Sequence, residues 1–177
     1  MKKINLFLLS TLCGVLTVLI SISSYAQNNS YLVPVGGGPT DNDLMSAIVG
    51  LTKKQNPKLL IIPYASKAKE IANTIERNIA MFKKIGVTNI SLLDTAKQKE
   101  GIALINSCDM IWMPGGGQVR MRKALEKAKF ADEILNRYKK GNIVIGGTSA
   151  GASIMSDVMM ASSKKNKIRN FLINIAA

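Results

Sequence analysis

Across residues 31–160 five short apolar runs alternate with longer stretches whose apolar side chains recur every three or four positions. Parallel strands must be joined by crossovers, and strands covered on both faces read as unbroken apolar runs. The alternation therefore predicts an α/β fold: an open, mainly parallel sheet with helices on both faces. Strands are expected at residues 31–35, 58–62, 89–93, 110–113 and 142–145. Between them Leu44, Ile48 and Leu51 form one helical stripe, Ile71, Ile75, Ile79 and Phe82 a second, and Met121, Leu125 and Ala128 a third, each expected to face the sheet. No internal repeat or low-complexity linker interrupts this region, and one domain over residues 27–160 is expected.

The two ends read differently. Lys2 and Lys3 precede an apolar stretch over residues 4–22, followed by Ser24, Tyr25, Ala26 and Gln27. A charged start, an apolar middle and small residues at Ser24 and Ala26 predict a signal peptide over residues 1–26, cleaved after Ala26. The expected location is periplasmic or extracellular, with no stable membrane association after cleavage. Cys13 would leave with the leader, so Cys108 alone remains and no internal disulfide is available to the exported chain. Residues 161–177 are polar and basic before a brief apolar close, and read as a basic tail, either a frayed terminal segment or the product of truncation of a longer protein. The whole chain has a formal charge of +13, which favours acidic partners. Its lysines are dispersed and few aromatics lie among them, so a nucleic-acid partner is not expected.

Chemistry concentrates in three glycine-rich turns, each after an expected strand. Gly147-Thr148-Ser149-Ala150-Gly151 matches G-x-S-x-G between strand and helix, the setting in which a tight turn raises a serine hydroxyl at the carboxyl end of a sheet. Ser149 is the candidate nucleophile, with the amide of Ala150 as one oxyanion donor. In Met113-Pro114-Gly115-Gly116-Gly117-Gln118 the backbone can approach a ligand closely; Gly116 is the second oxyanion candidate, and Gln118 and Gly117 are the candidate substrate contacts. Gly36-Gly37-Gly38 lacks the third glycine of a dinucleotide fingerprint, and no acidic residue ends the second strand, so this turn reads as a wall of the same crevice. Thr40 or Asp41 would cap the helix that follows.

These segments resemble the cyanophycinase and aspartyl dipeptidase (peptidase E) family of serine peptidases. Val33-Pro34-Val35-Gly36-Gly37-Gly38 looks like the family's opening strand and turn. Trp112-Met113-Pro114-Gly115-Gly116-Gly117-Gln118 resembles its Gly-Gly-Asp-Gln region, with Gly117 where aspartate would stand. Gly147-Thr148-Ser149-Ala150-Gly151-Ala152 matches its nucleophile region. The resemblance implies a fold akin to class I glutamine amidotransferases, flavodoxin-like in its layers. It also implies hydrolysis of aspartyl peptides, such as the β-linked aspartyl-arginine unit of cyanophycin, through Ser149 without a metal or other cofactor. The implied partner is a peptide substrate carrying aspartyl residues; a homodimer is allowed for.

The chain contains no histidine. In the family the resemblance points to, the catalytic histidine lies downstream of the elbow. A serine hydroxyl needs a positioned base, worth roughly 100- to 10,000-fold in rate. Lys123, Lys164 and Lys165 are the substitutes to weigh, although a lysine must be desolvated or placed beside another cation to serve. The expectation is an impaired or inactive hydrolase. The alternative is a non-catalytic module that binds acidic peptides in the same crevice.

Overall fold

The computed structural model describes residues 29–156, together with the backbone of Val158–Met160 and Lys167–Arg169. The expected signal peptide, with Cys13, lies outside the described residues. Five parallel strands form one sheet: β1 (Tyr31–Val35), β2 (Leu59–Ile61), β3 (Ile90–Leu92), β4 (Met110–Met113) and β5 (Val144–Thr148), in the order β1-β5-β4-β2-β3. The helices are α1 (Asn42–Gly50), α2 (Ile71–Lys84), α3 (Gln98–Ser107), α4 (Gln118–Lys127), α5 (Ala131–Lys140) and the single turn α6 (Ala150–Ser153).

Alternation along each strand divides the core into two layers. Leu59, Ile61, Met110, Trp112 and Val144 pack with Met45 and Ile48 of α1 and Phe82 of α2. Leu60, Ile62, Ile111, Met113 and Ile145 pack on the other face with Ile105 of α3, Met121 and Leu125 of α4, and Ile134 of α5. The expected open sheet with helices on both faces is thus the observed one. The chain steps outward from β1 to β3 with its helices on one face and returns to β5 with them on the other, as right-handed crossovers demand.

Two helix stripes differ from the expected ones. In α1 the buried residues are Met45, Ile48 and Val49, while Leu44 is exposed and Leu51 half-buried. The Asp41 carboxylate accepts the Leu44 N–H at 2.7 Å, as expected of a cap, and fixes the phase of the helix so that Leu44 stands beside the buried stripe. In α2 Thr74 and Phe82 are buried, whereas Ile71, Ile75 and Ile79 are half-buried. A strict four-residue repeat drifts about 40° per step around a helix, and here it runs along the flank. The inward position goes to Thr74, whose hydroxyl meets that of Ser66 at 2.8 Å. Within the expected basic tail, Lys167–Arg169 pairs antiparallel with Val158–Met160, so its middle is one strand of a hairpin; the rest lies outside the described residues.

The fifth strand runs beyond its expected end at residue 145, through Gly146 and Gly147 to Thr148. Gly146 faces the Trp112 ring, where a Cβ would lie 2.8 Å from it. That ring is held edge-on to Phe82, with centroids 5.6 Å apart, and its Nε1–H donates to the Asn78 side-chain oxygen at 3.0 Å. Gly151, at the start of α6, lies so close to the Met113 carbonyl that a Cβ would sit 2.6 Å from its carbon.

Gly151→Ala should therefore destabilise the fold by at least about 2 kcal/mol, the usual scale of forced overpacking against atoms that cannot yield. Gly50→Ala, at the end of α1 with nothing within 4 Å of the new methyl, should be neutral or stabilising by up to about 1 kcal/mol. Urea midpoints at constant slope measure both.

Candidate active site

Ser149 occupies the single residue between the last position of β5 and the first of α6, with φ 50° and ψ −108°. Such a backbone costs a non-glycine residue about 1–3 kcal/mol and persists only where its surroundings impose it. Here they do. The Ser149 N–H donates to the Val35 carbonyl at 3.0 Å, extending the pairing of β5 with β1. The Ser149 carbonyl accepts the Ser153 N–H at 2.8 Å and the Ser153 hydroxyl at 3.0 Å. Both backbone groups are fixed, the residue is exposed, and no described residue hydrogen-bonds its hydroxyl.

The other two glycine turns close on the same point. A Cβ at Gly115 would lie 3.3 Å from the Ser149 Cβ and 3.4 Å from the Thr148 Oγ1, and one at Gly37 would lie 3.4 Å from the Ser149 Cβ. The ends of β1, β4 and β5 thus meet around the serine, and the turn at Gly36-Gly37-Gly38 forms a wall, as expected. In open α/β sheets the carboxyl ends of strands at a change of direction are where ligands bind.

Gly116 takes φ 143°, and a Cβ there would collide with the Ala65 carbonyl, so only glycine fits the approach of the β4 turn to the β2 turn. The Ala65 carbonyl accepts the Gly117 N–H at 2.8 Å and also the Arg120 guanidinium. The Gly117 carbonyl in turn accepts the N–H groups of Arg120 and Met121 at 3.0 and 3.1 Å. Gly117, one of the expected substrate contacts, has its N–H and its carbonyl engaged within the protein, and these bonds hold the turn in place. A side chain there would meet the Arg120 guanidinium about 3.2 Å away. No acceptor among the described residues takes the amide N–H of Gly116 or Ala150, the two expected oxyanion donors. Gln118 is the first residue of α4, half-buried at the same turn.

Sequence reasoning did not single out the clamp of Ala65 by Gly117 and Arg120, because nothing local in either segment signals a contact across 55 positions. Thr148 was hidden as an ordinary member of the nucleophile run. Of the lysines weighed as bases, Lys123 is exposed on α4, and Lys164 and Lys165 lie outside the described residues.

Comparison with known proteins gives one family match: the model for peptidase family S51 matches residues 32–176. A cyanophycinase from Synechococcus elongatus is 30% identical over 115 residues, 62% of this chain and 35% of that protein. One from Trichormus variabilis is 26% identical over 153 residues, 81% of this chain and 51% of that protein. The chain thus spans about a third to a half of the curated cyanophycinases it matches. Among solved structures, a peptidase from an acI-B1 actinobacterium superposes with a TM-score of 0.68 at 20% identity, covering 85% of this chain and 68% of that one. A putative peptidase E from Listeria monocytogenes EGD-e gives 0.59 at 22% identity, covering 83% and 74%. These two likenesses establish the fold, akin to class I glutamine amidotransferases.

If the Ser149 backbone is held under strain, Ser149→Gly should relieve it. Allowing for the greater chain entropy of glycine, the variant should be about 1 kcal/mol more stable than Ser149→Ala, which removes the same hydroxyl and keeps the strain. Denaturant unfolding of the pair measures the difference; equal stabilities would mean that the turn is relaxed.

Proposed function

From the premise that this chain belongs to peptidase family S51, we propose that it carries the nucleophile and oxyanion half of a secreted serine peptidase of the cyanophycinase kind, acting on aspartyl peptide bonds. The single observation that supports this reading most is the φ 50° of Ser149 at a strand-to-helix turn walled by Gly37 and Gly115. A serine so held presents its hydroxyl away from the backbone that supports it.

The reaction follows from that placement. The Ser149 oxygen bonds to the scissile carbonyl carbon as its proton passes to a base, and the carbonyl electron pair moves onto oxygen. The amides of Gly116 and Ala150 receive that charge; one such donor is typically worth ~2.7–4 kcal/mol in the transition state. Collapse breaks the C–N bond, the leaving amine takes a proton, and water then hydrolyses the acyl-serine ester. Gln118, at the entrance to α4, orients the substrate. No step calls for a metal or cofactor. The chain has no histidine to serve as base, so turnover by these 177 residues alone is expected to be impaired. The first 26 residues act as an export leader, and N-terminal sequencing of the exported protein should begin at Gln27-Asn28-Asn29.

One observation favours a second reading. No described residue hydrogen-bonds the Ser149 hydroxyl, as suits a module that binds acidic peptides without cleaving them.

A neutral fluorophosphonate and an aspartyl-peptide assay separate the two. The peptidase reading expects slow labelling of Ser149, abolished by Ser149→Ala. It also expects hydrolysis once a family C-terminal segment with its histidine is joined to the chain, with a gain of at least about 100-fold. Peptide binding that survives Ser149→Ala, with no hydrolysis in any joined chain, supports the module.

A further inference from the structure

Beside the serine, on the face covered by α1 and α2, lies a cavity of about 370 Å³. Its lining includes Thr148 and Gly115, two residues that also adjoin Ser149, so the cavity lies next to the elbow. Its far wall is α2, which contributes Thr74, Arg77, Asn78 and Met81. Asn78 is locked: its amide nitrogen donates to the Thr74 carbonyl at 2.7 Å and its oxygen accepts from Trp112 Nε1 at 3.0 Å. Arg77, the next residue on the same wall, makes no hydrogen bond or ion pair with any described residue. Among the described residues no aspartate or glutamate lines the cavity.

A guanidinium on a rigid wall, with hydroxyls nearby and neither a partner nor a competing carboxylate among the described residues, suits an anion of planar, two-oxygen geometry. We propose that this cavity is a subsite for a substrate carboxylate and that Arg77 is the residue that selects it. The inference rests on the peptidase reading for its substrate, an aspartyl peptide, but not on Ser149 being nucleophilic. A carboxylate gripped here would hold the adjoining carbonyl near Ser149 across Gly115 and Thr148. Neutral peptides of the same size would lose that grip.

The test uses the full chain with Ser149→Ala, so that nothing is cleaved, and titrates an aspartyl dipeptide and its asparaginyl isostere by calorimetry. Arg77→Ala should weaken the aspartyl peptide about tenfold or more, Arg77→Lys should recover part of that loss, and the asparaginyl peptide should bind weakly and equally to all three. Arg77 is exposed on α2, so these variants should keep the parent's unfolding midpoint. In parallel, the neutral fluorophosphonate is applied to chains retaining Ser149, with and without Arg77→Ala. Equal labelling of both shows that Arg77 acts through the carboxylate and not on the serine. Absence of labelling in both removes the nucleophile reading and leaves the subsite to be judged by calorimetry alone. Undiminished aspartyl-peptide binding in Arg77→Ala, or no preference for the aspartyl over the asparaginyl peptide in the parent, overturns the proposal.

Discussion

The Met113 carbonyl is the point on which the rest of the site depends. Gly147, from β5, and Gly151, from α6, both press against it so closely that neither position has room for a side chain. Strand and helix are therefore seated on the end of β4 from either side of Ser149, and the serine is left spanning the gap with a backbone it would not otherwise adopt. The same contact brings Gly115, two residues beyond Met113, against the Ser149 side chain. Any added methyl group would push α6 off β4 and widen that spacing, because close-packed interiors transmit displacement instead of absorbing it.

Sheet order gives this contact its setting. β1 and β5 are neighbours, yet the helix after β1 lies on one face and the helix after β5 on the other. The same holds for β2 and β4. Two adjacent gaps thus open at the carboxyl edge, one bounded by Gly37 and Ser149 and the other by Ala65 and Gly116. The second is closed from within by the Gly117 N–H and the Arg120 guanidinium on the Ala65 carbonyl. What stays accessible is the first gap, with the cavity that leads from it along α2.

Much of this was legible in the sequence, and the rest was hidden for physical reasons. β1 and β4 appear where their apolar runs place them, because a strand buried between neighbours leaves little room for polar residues. β5 was read three residues short, since its last positions are two glycines and a threonine; only the packing of Trp112 and Met113 shows why side chains are excluded there. Helix phase failed in α1 because Leu44 and Met45 are equally apolar and the choice between them is made by the Asp41 cap and the sheet beneath. The three turns were recognisable singly as glycine runs. Their place at one crevice followed from the strands they end, whereas the close approach of Gly37 and Gly115 to Ser149 and the place of Arg77 beside them depend on segments distant in the chain, which no local pattern encodes.

The strain at Ser149 bears on what the crevice is for. Folded domains keep a margin of only about 5–15 kcal/mol, so a residue costing about 1–3 is a measurable fraction of it. A site that merely bound an anion would gain nothing from that geometry: amide donors and a guanidinium suffice, and a relaxed turn would present them equally well. The geometry is useful where an oxygen must project past its own backbone toward an electrophile while the next amide faces the charge that forms. On this argument the elbow favours the proposed reading, in which Ser149 would attack a carbonyl and the lack of an imidazole would limit the rate of that attack without changing which atom makes it. The carboxylate grip proposed for Arg77 fits the same picture, since a substrate so held would reach the serine already oriented, and orientation is the part of catalysis that needs no proton transfer.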